Sequence, residues 1–194
     1  MEVLRDSIIL TWLVSLVNIL ILNNGLGRLL GIRPRSLIGL LGIVFSPLLH
    51  RDIGHLIANT VPFLVLGWLV LLQSRFENGG DFYVITAIIV LIGGFGTWLL
   101  GRDAIHIGAS GLIFGYIGFL LAQGYVGPTA LTLGLALIVF MLYGSQLWGM
   151  IPSASEERIS WEGHLFGFVG GIVAGVYPEF LTMLGTAINN LIQP

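Results

Sequence analysis

Long apolar runs alternate with short polar breaks along this chain. A helix that crosses a bilayer needs about 20 mostly apolar residues. Judged against that length, six segments stand out, at about 7–22, 53–72, 82–100, 110–125, 129–147 and 163–184. The fourth is short. Between the first and second lies a long linker, residues 23–52, which carries Arg28, Arg33-Pro34-Arg35 and Pro47. Its apolar stretch at 37–45 is too short and too interrupted by glycine to cross. It is expected as interfacial or re-entrant helix, tolerated where protein covers the backbone. A polar loop at 149–162, with Glu156, Glu157 and Arg158, joins the last two segments. The pattern predicts an all-α membrane protein: a single six-helix transmembrane domain over residues 1–194 with both ends on one side.

Composition strengthens this reading. The chain is 56% hydrophobic and only 9% charged, where soluble domains carry about 25% charged residues. The net charge of -2 offers no basic field for nucleic acid. All eight basic residues are Arg, which excludes Ser–Lys and Schiff-base chemistry. The absence of Cys excludes disulfides, thiol nucleophiles and thiolate metal sites. Arg5 precedes the first apolar run, but Glu2 and Asp6 offset it and no Ala-x-Ala follows, so a retained first helix is expected rather than a cleaved leader. Arg5 and Arg75 fall on one side of the predicted membrane. Arg28, Arg33, Arg35, Arg51, Arg102 and Arg158 fall on the other. The positive-inside rule then puts the N-terminus outside.

Three elements can carry chemistry. Gly108-Ala109-Ser110-Gly111 sets a serine among glycines at the start of the fourth segment. There the free N–H groups and positive dipole end of a helix favour a developing anion. Alone, the motif is weak and suits small-residue packing better, through Gly111 and Gly115. His164 opens the sixth segment, followed by Gly167, Gly171 and Gly175 on one helix face. That bare stripe permits close approach of a neighbouring helix. If the neighbour is the fourth, the Ser110 hydroxyl comes within reach of the His164 imidazole, as general-base activation requires. His55 and Asn59 share a face of the second segment and suit either an oxyanion hole or a polar contact between helices.

Other ionisable groups add little. No His-Glu-x-x-His occurs, so a zinc-protease reading of His50, His55 and His164 is not supported. His106 is expected in a loop facing water or headgroups. Asp52, Asp81, Asp103, Glu162 and Glu179 fall in loops or at segment ends, leaving a Ser–His dyad with no acidic third member. Glu162 and His164, two apart, point to different faces.

Together the three elements resemble the rhomboid family of intramembrane serine proteases, through His55-x-x-x-Asn59, Gly108-x-Ser110-Gly111 and His164-x-x-Gly167-x-x-x-Gly171, in that order on the second, fourth and sixth segments. The resemblance implies a six-helix rhomboid-like bundle with Ser110 as nucleophile and His164 as base. His55, Asn59 and the Ser110 N–H would hold the oxyanion, in a water-filled cavity capped by 149–162 with Trp161. It also implies transmembrane protein substrates within a lipid bilayer, no cofactor or metal, and a bacterial cell-membrane location with a cytoplasmic N-terminus, opposite to the Arg count. Phe114 stands where the family often has a Tyr that stacks on the histidine, and the family's Trp-Arg pair in the first loop is missing. The competing classes are a non-catalytic rhomboid-like binder of transmembrane helices, expected to lack Ser or His, and a small transporter, expected to line a whole path with polar residues.

Overall fold

The computed structural model describes residues 2–73, 80–152 and 160–177, together with Met183 and Thr186. Among these residues the chain is helical without β-strands, and one antiparallel bridge pairs Ile32 with His106. Helix α1 (Glu2–Leu16) continues through a π-turn at Val17–Ile21. Short α2 (Gly25–Leu30) and α3 (Leu41–Phe45) follow, α3 flanked by 3-10 turns at Ile38–Leu40 and Ser46–Leu48. Then come α4 (Ile53–Leu72), α5 (Gly80–Leu100), α6 (Ser110–Val126), α7 (Ala130–Tyr143) and α8 (Trp161–Val176). A 3-10 segment, Gly144–Met150, prolongs α7. Capping residues fix the starts: Asp52 accepts the His55 N–H, Thr129 and Thr132 form a capping box, and Ser160 accepts the Gly163 N–H.

Four helical stretches are long and apolar enough to cross a bilayer: Glu2–Ile21, Ile53–Leu72, Asp81–Leu100 and Ala130–Met150. The other two expected segments are shorter, 17 residues in α6 and 16 described residues in α8. The stretch at 37–45 is helical within Ile38–Leu48 and too short to cross. The expected end of the sixth segment beyond Tyr177 (Met183 apart), with Glu179, lies outside the described residues. So do Arg75 and residues 153–159 of the polar loop, with Glu156, Glu157 and Arg158.

Helix α6 forms the centre. Leu112 through Leu120 are all buried, as expected of a helix apolar on every side. Around it pack Leu66 and Val70 of α4, Phe82 and Ile89 of α5, and Val139 of α7. The outward faces expose Ile9, Leu13, Leu20, Leu137 and Met141, an apolar exterior suited to lipid.

Helices α6 and α8 meet backbone to backbone. A Cβ on Gly167 would sit 2.0 Å from the Gly111 carbonyl oxygen, and one on Gly171 would sit 1.8 Å from that of Gly115. Further along, a Cβ on Gly118 would meet the Phe168 oxygen at 2.4 Å. The glycine stripe of α8 thus faces the central helix. Its other side meets α5, where a Cβ on Gly93 would come within 3.0 Å of Gly167 Cα.

The 23–52 linker is a stitched element. Ile32 and His106 exchange both backbone hydrogen bonds, the Arg35 N–H donates to Trp98 O, and the Gly108 N–H donates to Ser46 O. The Trp98 indole donates to Ser36 O, Arg28 donates to Asn23 O and Arg33 to Arg28 O, while Arg35 donates to Gly101 O. Arg28 and Arg33 thus tie the linker to itself, and Arg35 holds it against the 98–108 turn. At the π-turn, the buried Asn18 accepts the Gly27 N–H and donates to His50 O and Asn24. π-Turns commonly mark functional positions.

Candidate active site

Ser110 is the first residue of α6 and follows Gly108, whose φ of +115° only glycine adopts without strain. The turn is pinned by the Gly108 N–H bond to Ser46 O. From here the hydroxyl reaches α8, and the Ser110 Oγ to His164 Nε2 distance is 2.9 Å. His164 Nδ1 lies 2.9 Å from the Gly149 carbonyl oxygen. A carbonyl only accepts, so Nδ1 carries the proton and donates to Gly149. In the neutral ring Nε2 is then unprotonated and accepts the Ser110 O–H. Phe114, one turn along α6 from Ser110, stacks on the imidazole with centroids 4.1 Å apart and planes 7° from parallel. His164 is therefore gripped on a face and at both nitrogens, and only 8% of it is exposed.

His55 packs against the serine turn, and its Cε1 and Nε2 occupy the space within 2.8 Å of where a Gly108 Cβ would point. Any larger residue at 108 displaces this ring. Asn59 is buried one turn further on and donates to the His55 carbonyl oxygen at 2.9 Å. With Ala109, His50 and Leu56 it lines an apolar cavity of about 210 Å³. On the other side of the dyad, Phe114, Ser145, Trp148, Gly149, Ile151 and His164 border a more open cavity of about 660 Å³.

The arrangement corrects the expectation for His106. It is 5% exposed rather than facing water. Its Nε2 contacts the Arg102 carbonyl oxygen at 3.2 Å and its Nδ1 contacts Ser160 Oγ at 2.7 Å. By the same proton logic Nε2–H donates to Arg102 and the Ser160 hydroxyl donates to Nδ1. Burial lowers the His106 pKa, partly opposed by the Arg102 bond. Glu162 is fully buried, accepts the Arg102 N–H at 3.0 Å and pairs with its side chain at 3.8 Å. Both contacts fasten the 101–108 turn, and so Ser110, to the start of α8. The chain spacing carried no signal for Gly149, Ser160 or this pairing, because each joins segments remote in sequence. No group of three His, Asp or Glu side chains able to hold a metal occurs among the described residues.

His50, at the mouth of α4, is buried. Burial, with His55 beside it, pushes its imidazole down to about 3, so the ring is neutral near pH 7.

The Rhomboid domain profile matches residues 39–178. An uncharacterized protein of Mycobacterium tuberculosis is 44% identical over 151 residues, covering 74% of this chain and 61% of that protein. One of Mycobacterium leprae is 39% identical over 151 residues, covering 74% and 58%. RHOMBOID-like protein 7 of Arabidopsis thaliana is 27% identical over 137 residues, covering 68% and 42%. The match thus spans about three fifths of the mycobacterial relatives.

Proposed function

This chain belongs to the rhomboid family, and from that premise we propose that it is an intramembrane serine endopeptidase that cuts transmembrane segments of membrane proteins with Ser110 and His164. The carrying observation is the 2.9 Å contact between Ser110 Oγ and His164 Nε2, with Nδ1 held by Gly149. Ser110 attacks the scissile carbonyl while His164 Nε2 takes its proton. The imidazolium keeps its Nδ1–H bond to the Gly149 carbonyl, which orients and stabilises it as an acidic residue does in a triad. The Phe114 face adds a cation–π contact worth about 1–2 kcal/mol once the ring is charged.

The oxyanion forms beside the first turn of α6, where the Ser110 N–H and the helix dipole favour negative charge. His55 and Asn59 are the side-chain donors. His164 then returns its proton to the leaving amine, and the acyl-enzyme is hydrolysed by the reverse relay. The cavity of about 660 Å³ beside His164 leaves room for an unwound segment and for water. Unwinding is required because a spanning helix has its backbone hydrogen bonds closed. The six-helix count follows if α6 and α8 also cross. At 1.5 Å per residue α6 is about 25 Å long, short of the ~30 Å hydrocarbon core, which suits a serine recessed below the surface. We place the protein in a bacterial cell membrane with the N-terminus cytoplasmic, following the family resemblance rather than the Arg count.

A fluorophosphonate or isocoumarin probe tests the reaction class. Wild-type protein should be modified at Ser110, and His164→Ala should reduce labelling by at least about 10³-fold. A chain that carries transmembrane helices without cutting them would show no labelling. A milder change probes the oxyanion turn. Gly108→Ala forces a side chain at φ +115° against His55. It should cost about 1–3 kcal/mol of stability and slow reporter cleavage. Wild-type melting and cleavage in that variant would refute the assigned His55 position.

A further inference from the structure

The polar groups behind the oxyanion side chain form a chain that the dyad does not use. Ser15 of α1 is fully buried, and its hydroxyl donates to the Leu48 carbonyl oxygen at 2.9 Å. Ser15 Oγ also lies 3.0 Å from His50 Nδ1. A hydroxyl has one proton, and Leu48 takes it, so His50 Nδ1–H is the donor in that second contact. His50 Nε2 is then a bare lone pair. It is buried and meets no protein donor. The His55 ring stands beside it, edge to face, with centroids 4.9 Å apart. His55 Nδ1 is likewise buried with no protein partner.

Buried ring nitrogens are rarely left unbonded, since each loses its bond to water without a replacement. Both demands have a common solution. A water has two protons, and two acceptors it bridges lie about 4.5–5.5 Å apart with bonds near 2.8 Å. The two rings are neighbours, and His50 lines the cavity of about 210 Å³ from which such a water can enter. A water that donates to His55 Nδ1 leaves His55 protonated at Nε2. Nε2 is the nitrogen packed at Gly108, next to the serine turn.

We propose that His50 is a positioning residue: held by Ser15, it uses a bridging water to keep His55 in the Nε2–H form that can donate to the oxyanion. This rests on the serine-protease reading above. The opposite tautomer would turn a lone pair towards the developing negative charge. The site therefore couples α1, through Ser15, to the transition state, although α1 contributes nothing to the dyad.

The test uses the full-length protein in detergent or nanodiscs, labelled with ¹⁵N-histidine, with only four His signals to assign. In wild type the His55 resonances should show Nε2 protonated and Nδ1 bare. His50→Leu should shift them towards a mixture of tautomers. It should lower kcat for a transmembrane reporter between about tenfold and the hundredfold that loss of an oxyanion donor costs, with KM unchanged. His50→Gln, whose side-chain oxygen restores an acceptor at the reach of Nε2, should recover most of the loss. Equal losses in the Leu and Gln variants, or an unchanged His55 tautomer in His50→Leu, would overturn the proposal. The tautomer is read without turnover. A wild-type protein whose Ser110 fails to react with the phosphonate would instead overturn the protease reading, and the His50–His55 link would still be judged from the spectra.

Discussion

Ser110→Ala is expected to leave a folded protein whose cleavage of a transmembrane reporter falls by about 10⁶ in kcat. The hydroxyl is the proposed nucleophile, and it is the group hydrogen-bonded to His164 Nε2 among the described residues. The structural cost is small. One hydrogen bond is lost, worth about 1 kcal/mol net, while the Phe114 stack and the Gly149 bond to His164 stay in place. Activity and stability thus separate cleanly in this variant. His164→Ala should match it in cleavage but melt lower, because it also removes the stacking partner of Phe114, a contact worth about 0.5–1.5 kcal/mol. The double variant should be no slower than either single one, since the two groups act as a unit. A reporter assay in proteoliposomes, with melting followed alongside, decides the matter. Cleavage by Ser110→Ala above the background of empty vesicles would eliminate Ser110 as nucleophile.

The second large effect lies in the helix contact. Gly171→Ala changes one hydrogen into a methyl, and two terms oppose each other. Removing a glycine from a helix interior gains about 0.5–1 kcal/mol. Against this, the new Cβ would lie 1.8 Å from the Gly115 carbonyl oxygen and 2.9 Å from Phe119 N, both backbone atoms that no rotamer change can move. Overpacking typically costs about 1–3 kcal/mol and more where backbone must shift, so the clash wins. The helices must part, and Ser110 and His164, carried on the same pair, part with them. Gly171→Ala should lower the melting temperature and depress labelling of Ser110 together. Gly134→Ala in α7 is the control, because nothing lies within 4 Å of its added Cβ. It should keep full reactivity and melt at or above wild type. Equal melting of the two variants would remove the packing argument.

Much of this molecule was legible before folding. The apolar runs located the helices to within a few residues: 53–72 was expected for Ile53–Leu72, and 110–125 for Ser110–Val126. The four-residue glycine spacing after Gly163 announced a close helix contact, because the α-helical repeat brings such residues to one face. The exposure of His106 was misjudged. Its neighbours along the chain are ordinary loop residues, whereas the partners that bury it, Ile32 and Ser160, are 74 and 54 positions away. The linker at 23–52 read as a connection, since the hydrogen bonds that fasten it reach the 98–108 turn and Asn18 of the π-turn, both remote in sequence.

Local periodicity, residue chemistry and motif order were enough to assign a helical membrane protein and to single out Ser110, His164, His55 and Asn59, because these depend on what lies within a turn or two of each residue. Only folding could bring Gly149 to the imidazole, set Ser15 behind His50 and fasten Arg102 to Glu162. Those contacts fix proton positions and ring orientations. They depend on how helices far apart in sequence come to rest against one another, and the one-dimensional pattern holds no period that encodes it.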